Sequence, residues 1–213
     1  MIKWIVSVVL LLNGVHSFAC LEKLNSSLLY KSFEEKQEII KKLKKKDMAC
    51  LFEESKEAEK PKIDFFLPPK KRQAMRVQKF FGVNSFPIFK AFEKHFFTIN
   101  TIQGDKIFGY NKSKIEFLGG PGFFEVKTNE ENGDIYIDYG EDFKSIIPIE
   151  KFNAWKGRSV SKIKNNKRSI VYGGGLKDNL HQLNDKMVIG RGFKITKTLK
   201  KNKTVGYFVL LKK

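Results

Sequence analysis

Two cysteines, three histidines and two tryptophans are all that this chain of 213 residues has of those types, and the scarcity narrows its chemistry. Apart from His16 near the start, the histidines are His95 and His181, with no CxxC or HExxH spacing to gather metal ligands. No metal and no cofactor is expected. A GxSxG elbow is missing, so nothing local marks a serine nucleophile. Neither GGPG at 119–122 nor YGGG at 172–175 continues into the GK[ST] of a phosphate loop, and both read as turns. Long apolar runs are lacking too: the run Trp4–Leu12 is far shorter than the roughly 20 residues that span a bilayer. Arginine is rare, five of the 41 basic residues.

What is present is lysine, phenylalanine and a leader-like start. Lys3, the apolar run and the small-residue stretch Asn13–Ala19 have the order of a secretory signal at 1–19, with Ser17 and Ala19 at the cleavage positions. Export to a periplasmic or extracellular compartment is the expectation, and Cys20 becomes the first mature residue. There it has three fates: acylation as a lipid anchor, a bridge to Cys50, or a free thiol. The net charge of +18 favours salt-dependent contact with anionic lipid or polysaccharide surfaces. It carries no signal for a specific nucleic-acid site, and much of it reads as compositional bias toward Lys, Asn, Ile and Phe.

Residues 20–60 read as a charged helical appendage. Ser32 and Glu35 have capping-box spacing ahead of Ile39, Ile40 and Leu43, while Met48, Leu51 and Phe52 fall on a different face, so two helices are expected, the second capped by Asp47. Residues 61–69 form a Pro-bounded linker with an extended IDFFL piece. In 70–213, a helix-capped β domain, the spacing predicts an amphipathic helix over 70–81 that offers Lys70, Lys71, Arg72, Arg76 and Lys79 to an anionic surface. A second helix is predicted after Pro87, where His95 reads as a core histidine.

Beyond Phe97 the apolar period changes to alternation. Turns are expected at Gln103-Gly104-Asp105 and at Asn132-Gly133, an SIVY strand before Gly173, and a helical turn from Leu176, Leu180 and Leu183. The chain closes on a hairpin, MVIGRGFKITKT and TVGYFVLL. In its second run Tyr207, Val209 and Leu211 alternate with Phe208 and Leu210, so both faces are apolar and the strand is central. Seven or eight strands suffice to close a sheet. The fold class is therefore α+β, N-terminal helices followed by a mainly antiparallel barrel or strongly curved sheet.

Gly120-Pro121-Gly122, Ile137-Asp138-Tyr139, the leucine-spaced segment, Val188-Ile189-Gly190-Arg191 and Gly206-Tyr207-Phe208-Val209-Leu210, in that order over residues 95–211, resemble a family of small uncharacterised bacterial proteins with a lipocalin-like β domain. The resemblance implies a fold and no reaction. Where the family pattern has an Asp-Glu pair, this chain has Asp178-Asn179.

Arg191 stands between Gly190 and Gly192 in a chain that otherwise writes lysine. A planar guanidinium suits a two-pronged partner, either an internal acid such as Asp138 or Glu125, or a ligand anion. The function expected is that of an exported, monomeric, non-enzymatic protein that holds a small apolar or amphipathic ligand. Tyr136, Asp138, Arg191, Tyr207 and Val209 are the candidate lining residues. A cationic module on envelope polymers or lipid headgroups is the alternative, and an enzyme of unknown reaction the third.

Overall fold

The computed structural model describes residues 19–72, 76–87, 90–101, 104–114, 122–140, 172, 175–195 and 202–213. Among the described residues four α-helices, α1 (Ala19–Leu28), α2 (Phe33–Lys41), α3 (Lys45–Glu54) and the single turn α4 (Ile63–Phe66), precede eight strands. These are β1 (Gln78–Asn84), β2 (Ala91–Thr101), β3 (Gly104–Lys112), β4 (Phe124–Thr128), β5 (Ile135–Asp138), β6 (Leu176–Asn184), β7 (Met187–Ile195) and β8 (Asn202–Lys212). Each strand pairs antiparallel with the next, and β8 returns to β1, closing an eight-stranded barrel of lipocalin-like architecture. The α+β class expected from the sequence is what forms.

The terminal hairpin is central as its two apolar faces require. Phe208 and Leu210 join the lumen cluster with Phe80, Phe96, Phe124, Ile137 and Val188. Val209 and Leu211, with Ile189, Met187 and Val83, meet Leu24, Leu28, Ile40, Met48, Leu51 and Phe52 of the helices on the outside. The helical front is thus a second layer on the barrel wall, not an appendage. Each fully buried side chain of this kind stabilises the fold by about 1.5–3 kcal/mol. Lumen packing has a repeated device: Gly82, Gly109 and Gly190 lie directly opposite Phe92, Phe124 and Phe208 on the neighbouring strands. A Cβ on these glycines would come within 2.5, 2.3 and 2.1 Å of the facing rings, so each ring lies across a glycine.

Several sequence expectations change. The helix over 70–81 is instead a short 3-10 turn, Pro69–Lys71, and then β1, and the helix after Pro87 is β2. Adjacent aromatics explain the error: Phe80 points into the lumen and Phe81 out to the helices, so a strand buried on both faces mimics an apolar helix. The IDFFL piece is one helical turn, α4 (Ile63–Phe66), whose Phe65 and Phe66, with Leu67, join the lumen cluster beside Phe80 and Phe96. Leu176 and Leu180 are lumen residues of β6 and Leu183 faces the helices, a split that the helical spacing concealed. Residues 103, 119–121 and 169–171 of the anticipated turns and SIVY strand lie outside the described residues, while Gly133 at φ +73° supports the β4–β5 turn.

Local signals in the helical front hold. Ser32 Oγ accepts from Glu35 N while Glu35 accepts from Ser32 N at 2.8 Å, a complete capping box. Asp47 caps α3 from its first turn, accepting from Lys44 N at 2.8 Å, so the helix starts three residues earlier than an Asp47 N-cap implies. Of the three fates open to Cys20, the bridge to Cys50 is realised, tying α1 to α3 with a Cα–Cα distance of 6.2 Å. Glu54 adds to the junction by accepting from the amides of Cys20 and Leu21 at 3.0 and 2.8 Å, donors the first turn of a helix leaves unpaired.

Candidate functional site

Two cations, Lys94 buried and Arg191 half-buried, face opposite sides of the barrel wall. Inside, β2 directs Lys94 and β6 directs Asp178 into the lumen. Lys94 Nζ donates to Tyr139 Oη at 2.7 Å and to Asp178 Oδ2 at 3.1 Å, and Tyr139 donates to the same carboxylate oxygen at 2.9 Å. Asn111 Nδ2 donates to Tyr139 Oη at 3.2 Å. Rings of Phe124, Tyr139 and Phe208 enclose the ammonium at 4.6, 5.2 and 4.8 Å. Burial pushes the Lys94 pKa below its ordinary value against the pull of Asp178, and burial followed by the Asp178 charge raises that of Tyr139 well above 10. This constellation is self-contained: every charge in it has its counter-charge.

Outside, Arg191 leaves β7 toward the helical layer. It shares that face with Ile189, and its register partners are Asn179 of β6 and Tyr207 of β8. The guanidinium lies 4.8 Å over the Phe52 ring of α3, which in turn stacks on His181 at 4.4 Å and 19°. Ser55 fixes the imidazole: its hydroxyl donates to Phe52 O at 2.9 Å and lies 3.2 Å from His181 Nδ1. With its one proton given to the carbonyl, the hydroxyl accepts from Nδ1–H. Burial lowers the His181 pKa below 6.5, with Arg191 and Lys56 adding to the effect against Asp134.

These groups line a cavity of about 310 Å³ together with Lys56, Ala58, Glu59, Lys60, Asp134 and Asn179. Lys56 pairs with Glu53, Glu59 with Lys62 and Lys60 with Asp134. Arg191 alone among the charged lining residues has no acid, and its Nε is buried without a hydrogen-bond partner among the described residues. A second cavity of about 510 Å³, lined by Pro61, Lys62, Ile63, Thr128, Gly133 and Ile135, shares Glu59 and Lys60 with the first.

The anticipated lining set is therefore distributed differently from expectation. Tyr136 and Asp138 alternate with Ile135, Ile137 and Tyr139, which point inward, so both lie on the outer face. Asp138 is held by Lys127 and Lys177 at 3.5 and 3.8 Å, and Glu125 by Lys106 and Lys127, so neither is Arg191's partner. Tyr207 and Val209 lie under the helices. Of the five, Arg191 alone lines the cavity. The proposed basic patch loses its helix. Lys70, Arg76 and Lys79 are exposed, but Arg72 is turned back to Leu67 O at 3.0 Å and to Asp64. His95 is a satisfied core histidine, though on a strand, between Tyr110 at 2.6 Å and Glu93 at 2.9 Å.

Phe52, Ser55, Asn179 and His181 escaped sequence reading as site residues, since they come from distant elements and only the outward parity of β6 and β7 assembles them. Lys94 was one lysine among many. The class defined by this geometry is a closed, eight-stranded antiparallel barrel with a helical layer on its wall and an arginine-bearing cavity between the two. Comparison with protein-family models, with curated proteins and with solved structures finds no match to the chain.

Proposed function

We propose that the protein is an exported binding protein that captures a small anionic ligand in the cavity between its helical layer and its barrel. The observation that carries this reading is Arg191: a guanidinium in a cavity of about 310 Å³, braced on an aromatic ring and without a carboxylate partner among the described residues. A half-buried cation whose Nε is covered and unpaired among the described residues is costly, and a ligand carboxylate or phosphate supplies a counter-charge. The Cys20–Cys50 bridge supports export, because such bonds persist in oxidising compartments, and it occupies the sulfur that a lipid anchor would need. Contact with anionic surfaces rests on net charge alone now that its amphipathic helix is a strand.

The test is thermal denaturation with citrate, acetate and inorganic phosphate at constant ionic strength. A ligand that binds only the folded state raises Tm as its concentration passes Kd. Wild type is expected to gain stability with at least one of these anions and Arg191→Gln with none; equal shifts in both proteins, or none in either, would refute the assignment. Fractionation and N-terminal sequencing test export, with Cys20 expected as the first residue of the mature chain.

A further inference from the structure

We infer that the ligand of the Arg191 cavity is a single-chain amphiphile, whose anionic head pairs with Arg191 and whose apolar chain runs past Lys60 into the second cavity. The inference rests on the anion reading above and goes beyond it by assigning the neighbouring space. The two cavities share Glu59 and Lys60 in their linings, and the rest of each lining differs in kind. On one side stand Arg191, His181, Asn179 and Ser55; on the other Pro61, Ile63, Ile135 and Thr128, with Gly133 contributing no side chain and Lys62 paired with Glu59. Head and tail chemistries are therefore placed on either side of one shared pair of residues.

The charges between them are arranged so that an anion settles at one end only. Glu59 is neutralised by Lys62, and Asp134 by Lys60, whose ammonium also donates to Asn132 O at 2.5 Å. Lys60 therefore stands between the two as a bridged divider whose charge is matched by Asp134. Arg191 is the position where a negative charge is compensated. The apolar end has no cation without its own partner among its lining residues, so a chain that carries charge at both ends fits worse than one that carries it at a single end.

Calorimetric titration with octanoate, acetate and 1-octanol tests the layout on the intact protein. Octanoate is expected to bind about tenfold or more tighter than either fragment, since apolar burial and the ion pair act together. Arg191→Gln is expected to reduce octanoate to the affinity of 1-octanol. Thr128→Glu, a change at an exposed strand end that places a carboxylate beside the chain, is expected to weaken octanoate about fivefold or more and leave acetate unchanged. Octyl phosphate separates phosphate from carboxylate heads, and tighter binding of either supports the layout. If octanoate binds no better than acetate, or if Thr128→Glu leaves it unaffected, the tail site is overturned while the anion site stands. If Arg191→Gln leaves octanoate at wild-type affinity, both readings fall.

Discussion

Lys94 and Arg191 sit on opposite faces of one barrel wall, and the wall treats them oppositely. Lys94 is given an acid, a phenol and three rings by the chain itself. Arg191 is given a ring and a cavity, and no acid among the described residues. A buried cation with a full set of partners belongs to the fold, whereas a half-buried one that is braced but unpaired points to a partner from elsewhere. The residue types agree: the ammonium, a compact point charge, fills the closed cage, and the planar fork that grips carboxylates is kept for the open site.

Breaking the closed site should have the largest effect. Lys94→Met leaves Asp178 buried without its cation and is expected to destabilise the protein by about 3–5 kcal/mol in urea melts, whereas Lys94→Met with Asp178→Leu should recover most of that loss. A loss below about 1 kcal/mol in the single variant would erase the contrast. Next comes the bridge that holds α1 against α3, the helix that supplies Phe52 to the Arg191 cavity. Cys20→Ser with Cys50→Ser opens a loop across 30 positions and is expected to cost about 3–4 kcal/mol. Anion capture should weaken with it, which Lys94→Met should not cause in the protein that remains folded.

Acid should act in two stages. Burial depresses the pKa values of His95 and His181 below 6.5, so as pH falls through 6.5 the unfolded chain binds protons that the folded chain refuses, and stability declines. Glu93 adds the second stage. Burial favours its neutral form, but hydrogen bonds from Lys213 and His95 prevail and hold it at about 2, so its contribution fades between 4.5 and about 2. Melts at stepped pH should show both declines, and His181→Gln should remove part of the first. The smallest effect on stability is expected from Arg191→Lys, within about 0.5 kcal/mol of wild type, because no acid among the described residues depends on the fork. Anion affinity should nonetheless fall about tenfold. A large melting change with unaltered binding would make Arg191 structural after all.

The sequence made the barrel legible where one strand stated both of its environments. Tyr207 to Leu211 has apolar residues on both parities, and both environments are there, lumen and helices. The capping box at Ser32 and Glu35 was equally plain, because its partners are local. Strands β1, β2 and β6 were not, since Phe80-Phe81, Phe96-Phe97 and the β6 leucines satisfy a helical template as well as a doubly buried strand. At the site, Arg191 stood out by scarcity. Its direction did not, because parity says which residues share a face and not which face is the inside. The flanking glycines misled in the same way: Gly190 makes room for Phe208 in the lumen, and a Cβ at Gly192 would lie 3.2 Å from Asp178. Both serve the closed site and not Arg191. Lys94 and Asp178, 84 positions apart, meet only once the barrel closes.

The three rings laid across glycines act as alignment marks for assembly. Sliding β1 on β2 or β3 on β4 by two residues keeps the faces but brings Phe92 or Phe124 onto a position that carries a side chain, Phe80 or Asn84 in one case and Ile107 or Asn111 in the other. Those seams accept one alignment. Along β7 the next inward position from Gly190 is Gly192, so the β7–β8 seam lacks that exclusivity at one end, and there the pairing carries an irregularity between Gly192 and Phe193. The first two seams therefore leave little freedom to the last, and the frame that places Arg191 opposite Phe52 is set by aromatic rings on the far side of the wall.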